Sequence, residues 1–124
     1  MYQGDEVSDY RNLAVWQKAH QLTLSSYKVT GNFPKEELYG LTSQIRRSAA
    51  SIPANIAEGT GRGSNPDFVR FLRIAVGSAN ELEYHFLLAR DLGFMDTDLF
   101  KQLCLSIVEI RRMLNGLISK LSQT

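Results

Sequence analysis

The side chains that could take part in catalysis or metal binding are few in this sequence. There are two histidines, His20 and His85, and one cysteine, Cys104. A di-metal site in a helical bundle needs carboxylates from all four helices and a Glu-x-x-His motif on two of them. Neither histidine follows a glutamate by three positions, although Glu81 and His85 could share a helical face. We therefore predict no metal ion, no cofactor and no enzymatic activity.

The glycine-rich segment GTGRGSN, residues 59–65, has the composition of a phosphate-binding loop but not its pattern. It follows a predicted helix instead of a strand, and it lacks the Gly-Lys-Ser/Thr ending. We predict a helix C-cap followed by a turn. The sequence also shows no Ser–His–Asp or Cys–His arrangement. Small residues at helical spacing would instead let helices approach closely, namely Ser48, Ser51, Ser78 and Ser106.

Residues 51–59, SIPANIAEG, place a proline, an amide and a carboxylate in a stretch with helical periodicity. Pro53 lacks the N–H that would bond the carbonyl of Ala49, so we predict one kinked helix and not two separate helices. The polar side chains near its apolar face need partners from the next helix. Two interpretations stay open: a structural polar network that fixes helix register or subunit packing, and a small-ligand site. The network would comprise Asn55, Glu58, Ser78 and Glu81.

Turns rich in glycine and proline, at 30–34, 59–66 and 93–98, divide the chain into four segments with helical periodicity. We predict an all-α fold, an antiparallel up-down-up-down four-helix bundle with helices at about 13–29, 35–58, 65–93 and 97–121. Asn12 and Asn65 are the expected N-caps of the first and third helices, and Asp96 or Thr97 begins the fourth. Gly93 is the expected C-cap of the third.

Apolar residues at spacings of three and four mark the face of each helix that we expect to be buried. In the first helix these are Leu13, Trp16, His20, Thr23 and Tyr27, with Ala19, Leu22 and Ser26 beside them. In the second they are Leu38, Leu41, Ile45, Ser48, Ile52 and Ile56. In the third helix they are Phe68, Leu72, Ala75, Ala79, Leu82, Phe86 and Ala89. In the fourth they are Leu99, Leu103, Ser106, Ile110, Met113, Leu117 and Leu121.

The third and fourth helices carry more apolar residues than these faces hold. The additional residues are Phe71, Ile74, Val76, Leu87, Phe100, Ile107, Leu114 and Ile118. Because a helix at the surface of a monomer keeps a polar back, these residues favour burial against another copy of the chain. A wide core face with a few exposed leucines is the alternative. We therefore predict a homo-oligomer.

The net charge of +1 predicts no particular partner, but the basic residues concentrate toward one end of the predicted bundle. The six that we consider for contact with nucleic acid or a partner are Arg62, Arg70, Arg73, Lys18, Arg111 and Arg112. A cationic end of this kind could contact phosphates. The alternative is a solvated surface with local ion pairs, such as Asp67 with Arg70 or Asp67 with Arg62.

The length of 124 residues fits one domain. We expect a flexible N-terminal segment at 1–10 and a single bundle domain at 11–122. A lone cysteine cannot form an internal disulfide, which fits a reducing, cytoplasmic compartment. The N-terminus has no signal-peptide pattern, and no apolar run is long enough to span a membrane.

Four stretches of the sequence together resemble the 23S rRNA intervening-sequence protein family. They are LAVWQKAH in the first helix, QIRRSAASIPANIAEG in the second, FLRIAVGSANELEYHFLLARDLG in the third and EIRRMLNGLISKL in the fourth. The resemblance covers residues 10–122. It implies an antiparallel four-helix bundle that assembles into a ring, typically a pentamer, with no known enzymatic activity.

Some members of this family are encoded within insertions in rRNA genes. The family is also similar to the accessory variability protein of diversity-generating retroelements, a basic pentamer that binds a reverse transcriptase and nucleic acid. The resemblance therefore implies RNA, DNA or a nucleic-acid enzyme as partner. The low net charge of this chain departs from that strongly basic protein.

Three functions follow from these observations. The first is a non-enzymatic oligomeric scaffold that contacts nucleic acid, or a protein associated with it, through its basic end. The second is a purely structural oligomer with a protein partner only. The third is a small-ligand-binding bundle that uses the polar residues of the second and third helices, with Glu83 added to the network named above.

Overall fold

The computed structural model describes residues 9–123, and within them it contains four α-helices and no strand. The helices are α1 (Ala14–Thr30), α2 (Leu41–Thr60), α3 (Asn65–Asp91) and α4 (Thr97–Ser122). Short 3-10 helices at Tyr10–Asn12 and Lys35–Glu37 precede α1 and α2. The all-α prediction with four helices is confirmed. Residues 1–8 of the expected N-terminal segment lie outside the described range, whereas Asp9 caps the first 3-10 helix.

Side-chain contacts between neighbouring helices show that the four helices form an antiparallel bundle. Residues near the end of α1 meet the start of α2, where Arg46 Nε lies 2.9 Å from Thr30 Oγ1. The middle of α2 meets the middle of α3 through the hydroxyls of Ser51 and Ser78. The ion pair between Lys18 and Glu109 joins the start of α1 to α4. Each helix therefore packs on two neighbours. The contact between α1 and α4 is looser than the contacts of the other three neighbouring pairs.

The second helix begins at Leu41, so the predicted start at residue 35 is wrong. After Pro34, a 3-10 turn carries the chain to Gly40, whose backbone (φ −114°, ψ −112°) is not helical. The carboxylate of Glu37 then accepts a hydrogen bond from the backbone N–H of Leu41 at 3.0 Å. This bond satisfies one of the donors that a helix start leaves unpaired, and it fixes where α2 begins.

Two of the predicted N-caps are also wrong. Leu13, not Asn12, precedes α1, and its side chain makes no capping hydrogen bond. The cap of α3 is Ser64, one residue before the predicted Asn65, and its hydroxyl accepts from the N–H of Asp67. Serine is as good an N-cap residue as asparagine, so it can take the N-cap position of α3 one residue earlier.

The predicted end of α3 and start of α4 are confirmed. Gly93 has a φ of 82°, its N–H bonds the carbonyl of Arg90, and the N–H of Phe94 bonds the carbonyl of Ala89. This pair of bonds is a Schellman motif, and its left-handed residue favours glycine. Asp96 caps α4 by accepting a hydrogen bond from the N–H of Leu99 at 2.7 Å.

The buried face of α3 is the predicted one, from Phe68 to Ala89. The predicted face of α4 is correct in part: Leu103, Ile110 and Leu121 are buried, and Leu99, Met113 and Leu117 pack half-buried against the core, but Ser106 is exposed. Three further residues, Ile107, Leu114 and Ile118, complete the buried face. Three of the residues assigned above to a contact with another copy, Ile107, Leu114 and Ile118, therefore pack inside the bundle. They offer no support for an oligomer.

The prediction for α1 is correct in part. Its core residues are Val15, Ala19, Leu22, Thr23, Ser26 and Thr30, of which Thr23 was in the predicted stripe and Ala19, Leu22 and Ser26 were placed beside it. Trp16 and His20 lie half-buried beside α2, and Tyr27 is exposed. In the segment before α2, Leu38 is exposed as well, because the chain there is a turn and not a helix. The centre of the buried face of α1 thus lies at the residues that flank the predicted stripe.

The second helix continues through Pro53 as one element, from Leu41 to Thr60. Proline cannot donate to the carbonyl of Ala49, four residues earlier. The hydroxyl of Thr23 on α1 donates to that carbonyl at 3.1 Å instead.

Among the described residues, no helix is both long and apolar enough to cross a lipid bilayer.

Candidate functional site

Two arginines share one carboxylate at the turn between α2 and α3. Arg62 Nε lies 2.9 Å from Asp67 Oδ2, and Arg70 Nε lies 3.0 Å from Asp67 Oδ1. Both guanidinium groups also lie over the ring of Phe71, at 5.2 and 4.5 Å from its centroid. The hydrogen bonds from Arg62 and then Arg70 lower the pKa of Asp67. The two ion pairs that the sequence offered as the local alternative are therefore both present.

Glu58 lies next to this arginine pair instead of in the predicted polar network. Its carboxylate is exposed and lies 3.4 Å from Arg62 Nη1, one helical turn away. The contact with Asp67, and to a smaller extent that with Glu58, raises the pKa of Arg62. This cluster of two arginines and two carboxylates carries no net charge; its members are Arg62, Arg70, Asp67 and Glu58. It therefore attracts a polyanion only through the directed N–H donors of the arginines.

The remaining basic residues do not form one patch. Lys18 pairs with Glu109 at 2.9 Å between α1 and α4. Arg111 bonds Asn80 at 2.9 Å and Glu83 at 3.0 Å between α4 and α3. Arg73 and Arg112 are exposed and make no ion pair with any described residue. Four of the six predicted contact residues thus already have an acidic partner, and these four lie at three different places: the α2–α3 turn, the α1–α4 seam and the α3–α4 seam.

A short chain of hydrogen bonds joins Asn55 to α3 through a serine. Asn55 Nδ2 donates to the carbonyl and the hydroxyl of Ser51 at 2.8 and 2.9 Å, and the hydroxyls of Ser51 and Ser78 lie 2.8 Å apart. Of the four residues predicted for this network, the structure brings together Asn55 and Ser78. The linking residue, Ser51, was considered only for its small size. Its position one helical turn before Asn55 was the available signal.

Glu81 lies outside that chain of hydrogen bonds and pairs with Arg47 of α2. One turn further along α3, the Nδ1 atom of His85 is buried and has no hydrogen-bond partner among the described residues. Burial lowers the pKa of His85, Glu81 opposes this shift, and Arg47 adds to it. The surroundings of His85 therefore favour its neutral form.

The described residues contain no group of three or more histidine, cysteine, aspartate or glutamate side chains that could hold a metal ion. Cys104 is half-buried, and burial is the main cause that raises the pKa of its thiol. A thiol with a raised pKa is a poor nucleophile at neutral pH. The site can therefore offer a partner the N–H donors of its arginines and an apolar surface, and both of these features promote binding.

The fold and these contacts define a class of protein: a helical bundle whose polar side chains are mostly engaged in ion pairs and interhelical hydrogen bonds. The chain belongs to the 23S rRNA-intervening sequence protein family, whose sequence profile matches residues 11–116. The resemblance seen in the sequence is thereby confirmed.

One similar solved structure is the crystal structure, at 1.70 Å resolution, of a protein of unknown function from the S23 ribosomal protein family of Bacteroides thetaiotaomicron. The two chains are 29% identical, with a TM-score of 0.76, and the match covers 85% of this chain and 98% of that one. A search of curated proteins finds no match.

Proposed function

We propose that this chain is a non-enzymatic, self-assembling binding protein of the cytoplasm that contacts nucleic acid through the arginines of the α2–α3 turn. The observation that carries the proposal is the pair of guanidinium groups over Phe71. Arg70 uses only its Nε for Asp67, and its two terminal nitrogens make no hydrogen bond to a described residue. Those nitrogens are the donors that bind phosphate in a directed, bidentate way.

Arg73 extends this donor set along α3. It lies three residues after Arg70, so both side chains leave the same side of the helix near its N-terminus, and both are exposed. A phosphate bound between them would gain from both charges.

Self-assembly would multiply a weak site. A ring of copies would repeat the arginine donors around one rim, and the family resemblance implies five copies. A kink at Pro53 would direct the last turns of α2 toward that rim. Each chain alone carries a net charge of only +1. Several phosphate contacts made at once raise affinity through avidity without any new contact in the single chain.

A second function is favoured by the ion pairs themselves. Lys18, Arg111 and Arg62 all have acidic partners, which reduces the field available to a polyanion. A structural oligomer that binds only a protein would have such a compensated surface. Salt dependence separates the two functions, because only phosphate contacts release counterions from nucleic acid.

The test is the binding of labelled single-stranded RNA and duplex DNA at roughly 50 to 200 mM salt. Replacing Arg70 and Arg73 together by Glu should abolish binding or lower the salt slope by about 2. Lys35→Glu together with Lys101→Glu is the charge-matched control, because both lysines are exposed at the opposite end of the bundle. The absence of binding at low salt, or an equal loss in the control, would favour the structural oligomer.

A further inference from the structure

The side of α3 that faces away from the bundle carries a row of exposed residues at spacings of three and four, and we call it the outer α3 row. Its members are Arg70, Arg73, Gly77, Asn80 and Tyr84. Residues at this spacing follow one another along a single side of a helix. At 1.5 Å per residue the row is about 21 Å long, which matches several nucleotides of one strand.

The start of the row is positively charged. Each carboxylate on α3 already has an arginine partner, the pairs being Asp67 with Arg62 and Arg70, Glu81 with Arg47, Glu83 with Arg111, and Asp91 with Arg90. Arg73 makes no ion pair with any described residue, so it adds one positive charge beside the neutral cluster at the α2–α3 turn. A local charge of this kind attracts an anion even though the net charge of the chain is only +1.

The middle of the row is a glycine, which costs an exposed helix some stability relative to alanine. A Cβ atom on Gly77 would meet no atom within 4 Å, so no contact inside the chain requires a glycine there. A glycine does leave the helix backbone open to close approach by another molecule. The row therefore has a low point between its arginines and its tyrosine.

The far end of the row is an aromatic ring that lies largely outside the protein. Tyr84 is 57% exposed, and its aromatic neighbour is His85, with the two ring centroids 5.9 Å apart. One turn earlier, Asn80 Oδ1 accepts a hydrogen bond from Arg111 at 2.9 Å, which leaves the NH₂ group of Asn80 as a donor. An exposed aromatic ring beside a polar donor can stack on a nucleic-acid base, because every base has an apolar face.

We infer that the outer α3 row binds a single strand of nucleic acid, with phosphates at Arg70 and Arg73 and an unpaired base stacked on Tyr84. The strand would cross the helix backbone at Gly77, between these two contacts. The inference rests on the proposed function and deepens it, because it names the form of nucleic acid that the arginines hold. A duplex cannot make the same contact, since its stacked pairs cover the base faces that Tyr84 would meet.

The test is fluorescence anisotropy with labelled oligonucleotides of one sequence, as single-stranded RNA, single-stranded DNA and duplex DNA, at several salt concentrations. Tyr84→Ala should weaken the binding of both single strands by roughly 5- to 100-fold and leave the binding of the duplex unchanged. It should not alter the salt slope, because an uncharged ring releases no counterions. Tyr84→Phe keeps the ring and should bind as the wild type does.

The glycine provides a second measurement with a matched control. Gly77→Leu should weaken single-strand binding without lowering the melting temperature, because the new side chain meets no atom of the chain at its Cβ. Gly116→Leu is the control, since Gly116 is also exposed and equally open, but α4 has no aromatic residue beyond Phe100. This control should bind single strands as the wild type does.

Two kinds of failure are distinguishable. Single-strand binding that survives both Tyr84→Ala and Gly77→Leu, or a wild-type chain that binds the duplex more tightly, would overturn the inference and leave the arginine contact of the proposed function standing. The absence of binding to any of the three oligonucleotides at low salt would overturn both, and would leave an acidic protein surface as the partner of the row.

Discussion

The hydroxyl of Thr23 on α1 donates a hydrogen bond to the carbonyl oxygen of Ala49 on α2, at 3.1 Å. In an unbroken helix that carbonyl would accept from the N–H of residue 53, which here is a proline. Thr23 shares its single proton with the carbonyl of Ala19, 2.9 Å away in its own helix. A neighbouring helix thus supplies the donor that Pro53 removes, and this exchange ties α1 to α2.

Replacing Thr23 by Val should lower the free energy of unfolding by about 1–3 kcal/mol, because it leaves the buried carbonyl of Ala49 without this donor. Pro53→Ala restores an N–H at residue 53, so the same Thr23→Val change should cost less in that background. Urea denaturation of the four proteins at one fixed concentration measures the coupling, expected to be at least about 0.5 kcal/mol. Strictly additive effects would show that Thr23 does not replace the missing donor.

The sequence was sufficient to predict the four helices and the buried face of α3. From Phe68 to Ala89 the apolar residues follow one another at three and four positions, and Gly93 and Asp96 mark the next boundary chemically. The face of α4 was not predictable in this way. Its apolar residues occupy two adjacent stripes, and only packing against α1 and α3 decides that Ile107 is buried while Ser106 is exposed.

The candidate site was predictable only where its partners are close in sequence. Asp67 lies five residues after Arg62 and three before Arg70, so both ion pairs follow from local geometry. Whether Glu58 faces the core or the solvent depends on the rotation of the last turn of α2, which no local rule fixes.

The hydrogen bonds around Ser51 predict different effects for two polar residues of the same helix. Ser51→Ala removes one of the two acceptors of Asn55 Nδ2 and the partner of Ser78 Oγ, and it should lower the free energy of unfolding by about 1–2 kcal/mol. Glu58→Ala should change it by no more than about 0.5 kcal/mol, because the carboxylate is exposed. Thermal denaturation of both variants measures these two effects. A larger loss of stability for Glu58→Ala would show that Glu58 belongs to the structural polar network.

Acid should destabilise the fold through His85. Burial lowers the pKa of His85 in the folded chain, so the unfolded chain takes up a proton at a higher pH than the folded one. Stability is therefore complete above the unfolded value of about 6.5 and falls as the pH drops through it, until the folded histidine is protonated as well. The protonated ring would also carry a hydrogen on the buried Nδ1, which has no acceptor among the described residues.

His85→Gln should flatten this loss, measured as the denaturation midpoint between about pH 7 and pH 5. Glu81→Gln should enlarge it, because the Glu81 carboxylate raises the pKa of His85. An unchanged slope in His85→Gln would assign the acid sensitivity to another group.

Two glycines inside helices should respond in opposite ways to the same substitution. A Cβ atom on Gly59 would lie 2.8 Å from Phe68 Cδ1 and 3.1 Å from Phe71 Cβ, whereas one on Gly116 would meet no atom within 4 Å. Gly59→Ala should therefore cost about 1–3 kcal/mol through overpacking, less the intrinsic gain of alanine in a helix. Gly116→Ala keeps that gain and should stabilise the fold by about 0.5–1 kcal/mol. Chemical denaturation of the two variants measures both effects, and a stabilising Gly59→Ala would mean that α2 and α3 can separate without loss of stability.

The same two variants should differ in the binding of nucleic acid. The guanidinium groups of Arg62 and Arg70 lie over the ring of Phe71, so the displaced ring in Gly59→Ala should weaken binding, and Gly116→Ala should leave it unchanged.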